Sequence, residues 1–275
     1  MLILKRPWTR QPQGIPALDQ SNYFRRGLTT VILPHMPRSP ILGSAMSGVN
    51  GTPVYGPSTM GMGLNSASGH VYRPYTPTLP WTMACVAVPF ASSIPIAMSD
   101  VGAASAVVNL LAFASTGFIR HDYRTHAAGN YTALDSGIPW TAGNSYAMAV
   151  SRTSTYANGG ISYFGVNGRG ASAVTSGASV STPTWDTFHI GGYYATSAWI
   201  NSNVSTSLVL FWDRAFNAEE LAAWSRDPWQ IFKPQQIIIP TPAAAGYTHP
   251  TLSLATATEI GTTSFKPRVT YTFPS

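Results

Sequence analysis

Side chains that could do acid–base, nucleophilic or metal chemistry are sparse in this sequence of 275 residues, which has 10 Asp and Glu, 6 His and 1 Cys. A glycosidase on a β scaffold sets two carboxyl groups across one cleft, which calls for acids at alternate positions of one strand. No strand-like run here carries two alternating acids. The close pair Glu219 and Glu220 falls in a helical segment, where capping and the helix dipole account for it. Asp19, Asp100, Asp122, Asp135, Asp186 and Asp213 are scattered. Calcium takes roughly six to eight oxygen ligands, so a calcium site is not expected even with some backbone carbonyls contributing. His121 and His126 are near each other, but no His-x-x-x-His or Cys pair accompanies them, and no zinc site is expected. Cys85 sits in the uncharged run from Trp81 to Val88 and reads as a small buried hydrophobe. Being single, it forms no intrachain disulfide. Gly61-Met62-Gly63 lacks the strand–helix setting of a phosphate loop, and no Gly-x-Ser-x-Gly elbow occurs. The residues therefore point to no catalytic group, metal ligand or cofactor, and to a protein that is not an enzyme.

Binding is better supplied. Tyr193, Tyr194 and Trp199 follow Ile190-Gly191-Gly192 in an expected loop, and Trp140 follows Pro139 in another. Aromatic rings in polar loops can stack on sugar faces, joining apolar area to hydrogen bonds. The same rings could instead pack against the chain ends or a neighbouring subunit, and spacing does not separate the two readings.

The elements that must position these residues are written in the composition. Charged residues are 9% of the chain and hydrophobic ones 44%, where an ordinary soluble domain has roughly 25% charged residues. Gly, Pro, Ser, Thr and Asn replace the missing charges, which is turn-rich β chemistry. A surface so poor in charge suits a subunit packed in an assembly. The net charge of +6 includes Lys5, Arg6, Arg10, Arg25 and Arg26 near the start. They suggest an extended arm docking on a neighbouring subunit rather than on nucleic acid, since charge alone is a weak motif. The run from Val101 to Ile119 has no charge, but Gly102, Ser105, Asn109, Ser115, Thr116 and Gly117 dilute it. It reads as a buried strand plus turn, not a membrane span. The apolar run at the start is too short for a signal peptide, and its charges follow it.

Three zones are expected: an arm over residues 1–20 with Pro7, Pro12 and Pro16, a body over 21–235, and a β-rich appendix over 236–275. Within the body, strand-length apolar runs recur between turn signals: Trp81 to Val88, Val107 to Phe113, Ser145 to Val150, Ile161 to Val166, Phe188 to Ile190 and Ser207 to Trp212. Asn167-Gly168 suits a tight hairpin turn. One helix is expected from Phe216 to Trp224, with Asn217 as cap, Glu220 completing a capping box, Phe216 and Leu221 as staple, and Pro228 beyond its end.

Ile190-Gly191-Gly192, followed by the run from Leu208 through Trp212-Asp213-Arg214-Ala215-Phe216-Asn217 to Leu221, resembles the closing strands and helix of the concanavalin-A-like, laminin-G-like jelly rolls. Asp213, Phe216 and Asn217 stand where that family usually has Asn, Leu and Ser. The segment from Ala147 to Gly168 is similar to its paired strands, and the resemblance covers about residues 21–230. It implies an all-β, concanavalin-A-like jelly-roll sandwich with one short helix near the end of the body. The flanks, Arg6-Pro7-Trp8-Thr9-Arg10-Gln11-Pro12-Gln13 with Gly27-Leu28 and then Asp227 to Pro234, resemble tailed-phage and prophage versions of the domain. So does the appendix, with Glu259-Ile260-Gly261-Thr262 and Val269 to Phe273. That resemblance implies a phage virion protein of the tail, baseplate or fibre, homo-oligomeric, joined to other virion proteins and adhering to a host surface glycan. The alternative it leaves open is an architectural subunit, a capsid decoration or baseplate-joining protein without a ligand. A depolymerising enzyme is a third reading.

Overall fold

The structure, a computed structural model, describes residues 2–6, 10–12, 16–75, 80–90, 96–102, 107–114, 117–124, 131–153, 161–174, 185–195 and 198–239. Side chains are described at fewer positions within the strands, and the appendix beyond residue 239 lies outside the description.

In chain order the strands are β1 (Leu2–Arg6), β2 (Leu28–Ile32), β3 (Gly48–Gly51), β4 (Val54–Ser58), β5 (Gly61–Asn65), β6 (Gly69–Pro74) and β7 (Trp81–Pro89). There follow β8 (Ile96–Gly102), β9 (Val107–Phe113), β10 (Phe118–Arg124), β11 (Tyr131–Pro139), β12 (Tyr146–Arg152) and β13 (Ile161–Val166). The last are β14 (Arg169–Val174), β15 (Trp185–Ile190), β16 (Gly192–Ala195), β17 (Ala198–Asn201), β18 (Val204–Trp212) and β19 (Gln235–Ile239). One α-helix, α1 (Ala218–Arg226), follows β18. β1 and β19 pair with each other in a two-stranded sheet. Arg6–Gln235 form one compact unit.

That unit is a jelly-roll β sandwich. A seven-stranded sheet runs β11-β10-β9-β8-β15-β6-β3 and an eight-stranded one β14-β13-β12-β7-β18-β5-β4, with β2 also on β18. β5 takes one stretch of the β18 edge, at Ser205 and Thr206, and β2 takes the next, from Val209 to Trp212. The charge-free run that begins at Val101 holds the end of β8, all of β9 and the start of β10. Among the described residues no helix is long and apolar enough to cross a membrane.

The long apolar runs have a physical cause: the middle of the eight-stranded sheet is covered on both faces. Alternate residues of β7 and β18, namely Trp81, Met83, Cys85, Ala87, Val209 and Phe211, face the core between the sheets. Ala84, Val86, Leu208, Leu210 and Trp212 turn the other way into a second core. There they meet Phe216, Leu221 and Trp224 of the helical segment, Trp229 and Phe232 beyond it, and Leu18 and Phe24 from the start of the chain. Full burial of one such aliphatic or Phe side chain contributes about 1.5–3 kcal/mol. The Trp212 indole N–H, buried among these groups, donates to the Phe24 carbonyl at 2.6 Å.

Three residues of the expected arm, Gln11, Leu18 and Asp19, bond to the body of the same chain. Leu18 bridges Phe232, Asp19 N–H donates to the Ile231 carbonyl at 2.8 Å, and the buried Gln11 side chain donates to the Ser207 carbonyl at 3.0 Å. Of the basic pair, Arg25 donates through its guanidinium to the Leu28 carbonyl, and the backbone carbonyl of Arg26 accepts from Arg214.

The helix closes as its residues dictate. Asn217 Oδ1 accepts from Glu220 N–H at 2.9 Å, and Glu220 Oε2 accepts from Asn217 N–H at 2.9 Å, a complete capping box. Phe216 and Leu221 are both fully buried, as the staple requires. Arg214 pairs with Glu220 at 2.7 Å, and Tyr23 donates to the same carboxylate. Partial burial works against the Glu220 charge, but the bonds from Tyr23, Arg214 and Asn217 outweigh it and hold the carboxyl below its usual range. At Asn167 and Gly168 both φ angles are positive, 45° and 85°, closing the β13–β14 hairpin in the tight turn expected of the pair.

Candidate functional site

The segment expected as an aromatic loop is a β hairpin. β16 carries Tyr193 and Tyr194, β17 carries Trp199, and Tyr194 stands opposite Trp199 in the register, with Tyr193 opposite Ile200. The Gly-Gly pair and the flanking Ser and Ala residues hid the strands, because short strands rich in such residues carry little propensity signal. β16 packs on β8, with further contacts to β6 and β9. Ser99, which alternates with the core residue Met98 on β8, donates through its hydroxyl to the Gly192 carbonyl at 2.6 Å and ties the hairpin base to the sheet. The side chains of Tyr193, Tyr194 and Trp199 lie outside the described residues.

The sheet beside that hairpin base presents a polar-aromatic layer. His189 of β15 is flanked in the register by Tyr72 of β6 and Ser99 of β8. Its ring stacks on Tyr72 with centroids 5.5 Å apart, lies 5.3 Å from the His70 ring, and bonds through Nε2 to the Thr187 hydroxyl at 3.1 Å. Both His70 and His189 are buried. Burial, with His70 alongside, pushes the His189 pKa down to about 3. A general acid or base works best with a pKa near the working pH, so a neutral His189 suits hydrogen bonding and packing rather than proton transfer.

Trp140 directly follows β11 and is half-buried. Its indole N–H donates to the Ala114 carbonyl at 2.9 Å, and its ring meets Phe113 edge-on at 5.6 Å. These contacts hold the ring in place. It is not brought to the hairpin by any described contact.

Three of the described acids serve local structure. Asp19 accepts from Ser21, Asp135 accepts from Gly137 N–H, and Glu220 closes the helix cap. The side chains of Asp100, Asp122 and Asp186 lie outside the description. Among the described residues no group of three His, Cys, Asp or Glu is placed to hold a metal ion. Cys85 is fully buried, and burial pushes its thiol well above the ordinary value.

A second concave feature had no sequence signal, because its walls come from a loop and from strands of both sheets that no local pattern brings together. Beside the edge strands β3 and β4 lies a cleft of about 410 Å³, bordered by the loop of residues 35–39. Met46 and Val71, buried members of the inter-sheet core, reach its floor. Val49 and Tyr55, 46% and 41% exposed, stand at its edge together with Arg38.

No protein-family model matches the sequence, and no curated protein matches it significantly. Among solved structures the chain is similar to domain 4 of AbnA, a GH43 extracellular arabinanase from Geobacillus stearothermophilus solved in complex with arabinotriose. The identity is 12%, with 72% of this chain and 98% of that one covered and a TM-score of 0.54. It is also similar to Trypanosoma rangeli sialidase in complex with sialic acid, at 15% identity over 75% of this chain and 34% of that one, with a TM-score of 0.52. A covalent-intermediate complex of the sialidase with 2,3-difluorosialic acid gives 14% identity, 83% and 36% coverage, and a TM-score of 0.52. The chain thus spans about a third of the length of the sialidases it matches. At such identities the likeness is one of fold, and the fold it shows is the jelly-roll β sandwich.

Proposed function

We propose that this protein is an adhesive subunit of a phage particle, seated in the tail, baseplate or fibre, whose jelly roll holds a glycan of the host surface. The hairpin β16–β17 is the grip in this reading, with Tyr193, Tyr194 and Trp199 supplying stacking area and Trp140 as an outlying contact. The observation that carries it is the register of that hairpin, in which Tyr194 and Trp199 stand opposite each other on a ribbon fastened to the sheet through Ser99. Aromatics paired across a hairpin can give a sugar face a stacking platform. The resemblance of both flanks to tailed-phage proteins supports the virion setting. The arabinotriose complex of the similar arabinanase domain supports a sugar as ligand. Neutral His189 and the scattered acids favour binding over hydrolysis.

Electron microscopy of intact particles, with an antibody to this chain, tests the reading. A position at the tail tip, baseplate or fibre is expected. A position on the head lattice or at an internal joint contradicts adhesion and leaves an architectural subunit.

A further inference from the structure

The cleft beside β3 and β4 carries an inference independent of the hairpin. We propose that it binds a small apolar monocarboxylate, with Arg38 taking the carboxylate and Met46, Val71 and Tyr55 taking the apolar body.

The size fits. A volume of about 410 Å³ falls within the range of roughly 300–1,000 Å³ usual for small-molecule sites. The chemistry of the lining is lopsided. Its floor is core hydrocarbon and thioether, an adaptable surface for an apolar guest. No acid lines it, and Arg38 supplies its one permanent charge. Arg38 is exposed and has no carboxylate partner among the described residues. A guanidinium is a fixed cation whose planar fork matches a carboxylate in two parallel bonds. Placed at the edge of a cleft without acids, it selects an anion by charge complementarity.

The other polar groups narrow the guest further. The Gln11 side-chain amide donates to His35 Nδ1 at 3.2 Å, so that nitrogen accepts. Burial lowers the His35 pKa, against a weaker pull from a Met62 backbone hydrogen bond, and the ring stays uncharged at neutral pH. The cleft therefore offers one cation, which suits a monoanion better than a dianion. Burial raises the Tyr55 pKa with Arg38 opposing, so its hydroxyl remains protonated and can donate beside the guanidinium. Ser39 is the other hydroxyl in the lining. A sugar acid would leave several hydroxyls unpaired against the floor, a penalty that a hydrocarbon body avoids.

The test is a titration of the full chain, labelled at its methionine methyl groups, followed by NMR. The probes are 3-phenylpropionate, 3-phenylpropionamide, D-glucuronate and the peptide acetyl-Gly-Gly-Phe. The acid should shift the methyl signals of Met36 and Met46, which line the cleft, and leave those of Met83 and Met148 elsewhere in the core. Arg38→Gln, an exposed substitution, should weaken the acid at least tenfold and leave the amide unchanged. Tyr55→Ala should weaken both. Equal affinity for acid and amide, or an Arg38→Gln variant that binds the acid as wild type does, overturns the role of Arg38. Tighter binding of glucuronate overturns the apolar body, and tenfold tighter binding of the peptide makes the site a reader of carboxy termini instead. No methyl shift at millimolar acid removes the site. The Trp199→Ala variant should bind the acid normally, so failure here is distinct from failure of the glycan reading.

Discussion

His121 and His189 lie buried on different faces of the seven-stranded sheet, and burial holds both uncharged, each with its pKa pushed down to about 3. Arg152 adds to the effect at His121 and His70 at His189. In the unfolded chain both return to the ordinary value near 6.5. Between about pH 3 and 6.5 the unfolded state binds protons that the folded state refuses, so stability falls as pH falls. Each histidine contributes a slope of about 1.4 kcal/mol per pH unit inside that window. Urea unfolding at intervals from pH 4.5 to 7 should show stability climbing steeply and levelling off above 6.5. A flat profile contradicts the buried, neutral state of the pair. Trp140 shows what the residue scale leaves hidden from sequence: the aromatic after a proline also bonds the Ala114 carbonyl and meets the Phe113 ring, partners that no local pattern announces.

At the scale of elements, the helix and its approach to the sheet were the most legible. Asn217, Glu220, Phe216 and Leu221 announce the start of α1 through local chemistry alone, and the capping box and staple form from neighbours in sequence. Such a cap is worth about 1 kcal/mol. What the helix packs on is not local. Gly170 on β14 admits it, since a Cβ there would overlap the Ala218 carbonyl oxygen at the first turn. Gly170→Val should therefore cost about 1–3 kcal/mol through overpacking, read as a lowered urea midpoint with an unchanged slope. Wild-type stability in that variant contradicts the close approach. Central strands β7, β9, β12, β13, β15 and β18 were readable because burial writes apolar runs. The edge strands β3 and β4, and β5 next to the edge, were not: β3 is Gly-Val-Asn-Gly, β4 contains Gly56 and Pro57, and β5 alternates Gly with Met and Leu. Such residues are tolerated at or near an edge, where fewer ladder bonds and packing contacts are at stake, and they read as turns.

At the scale of the whole molecule, the jelly roll follows from these runs once two covers are recognised, one between the sheets and one formed by α1, the segment from Trp229 to Phe232 and the start of the chain. The contribution of Leu18 and Phe232 to the second cover was invisible in the sequence, because they come from segments that looked like an arm and an exit. The hairpin is the element that the adhesion reading depends on, and the cleft is a separate feature walled by residues of the stretch 35–71. A glycan array probed with wild type and with Trp199→Ala measures adhesion most directly, with far-ultraviolet circular dichroism to show that both are folded. The wild type should retain a defined set of glycans and the variant should lose that retention while keeping its β spectrum. A wild type that retains none, or a folded variant that retains the same set, contradicts the hairpin as the glycan grip.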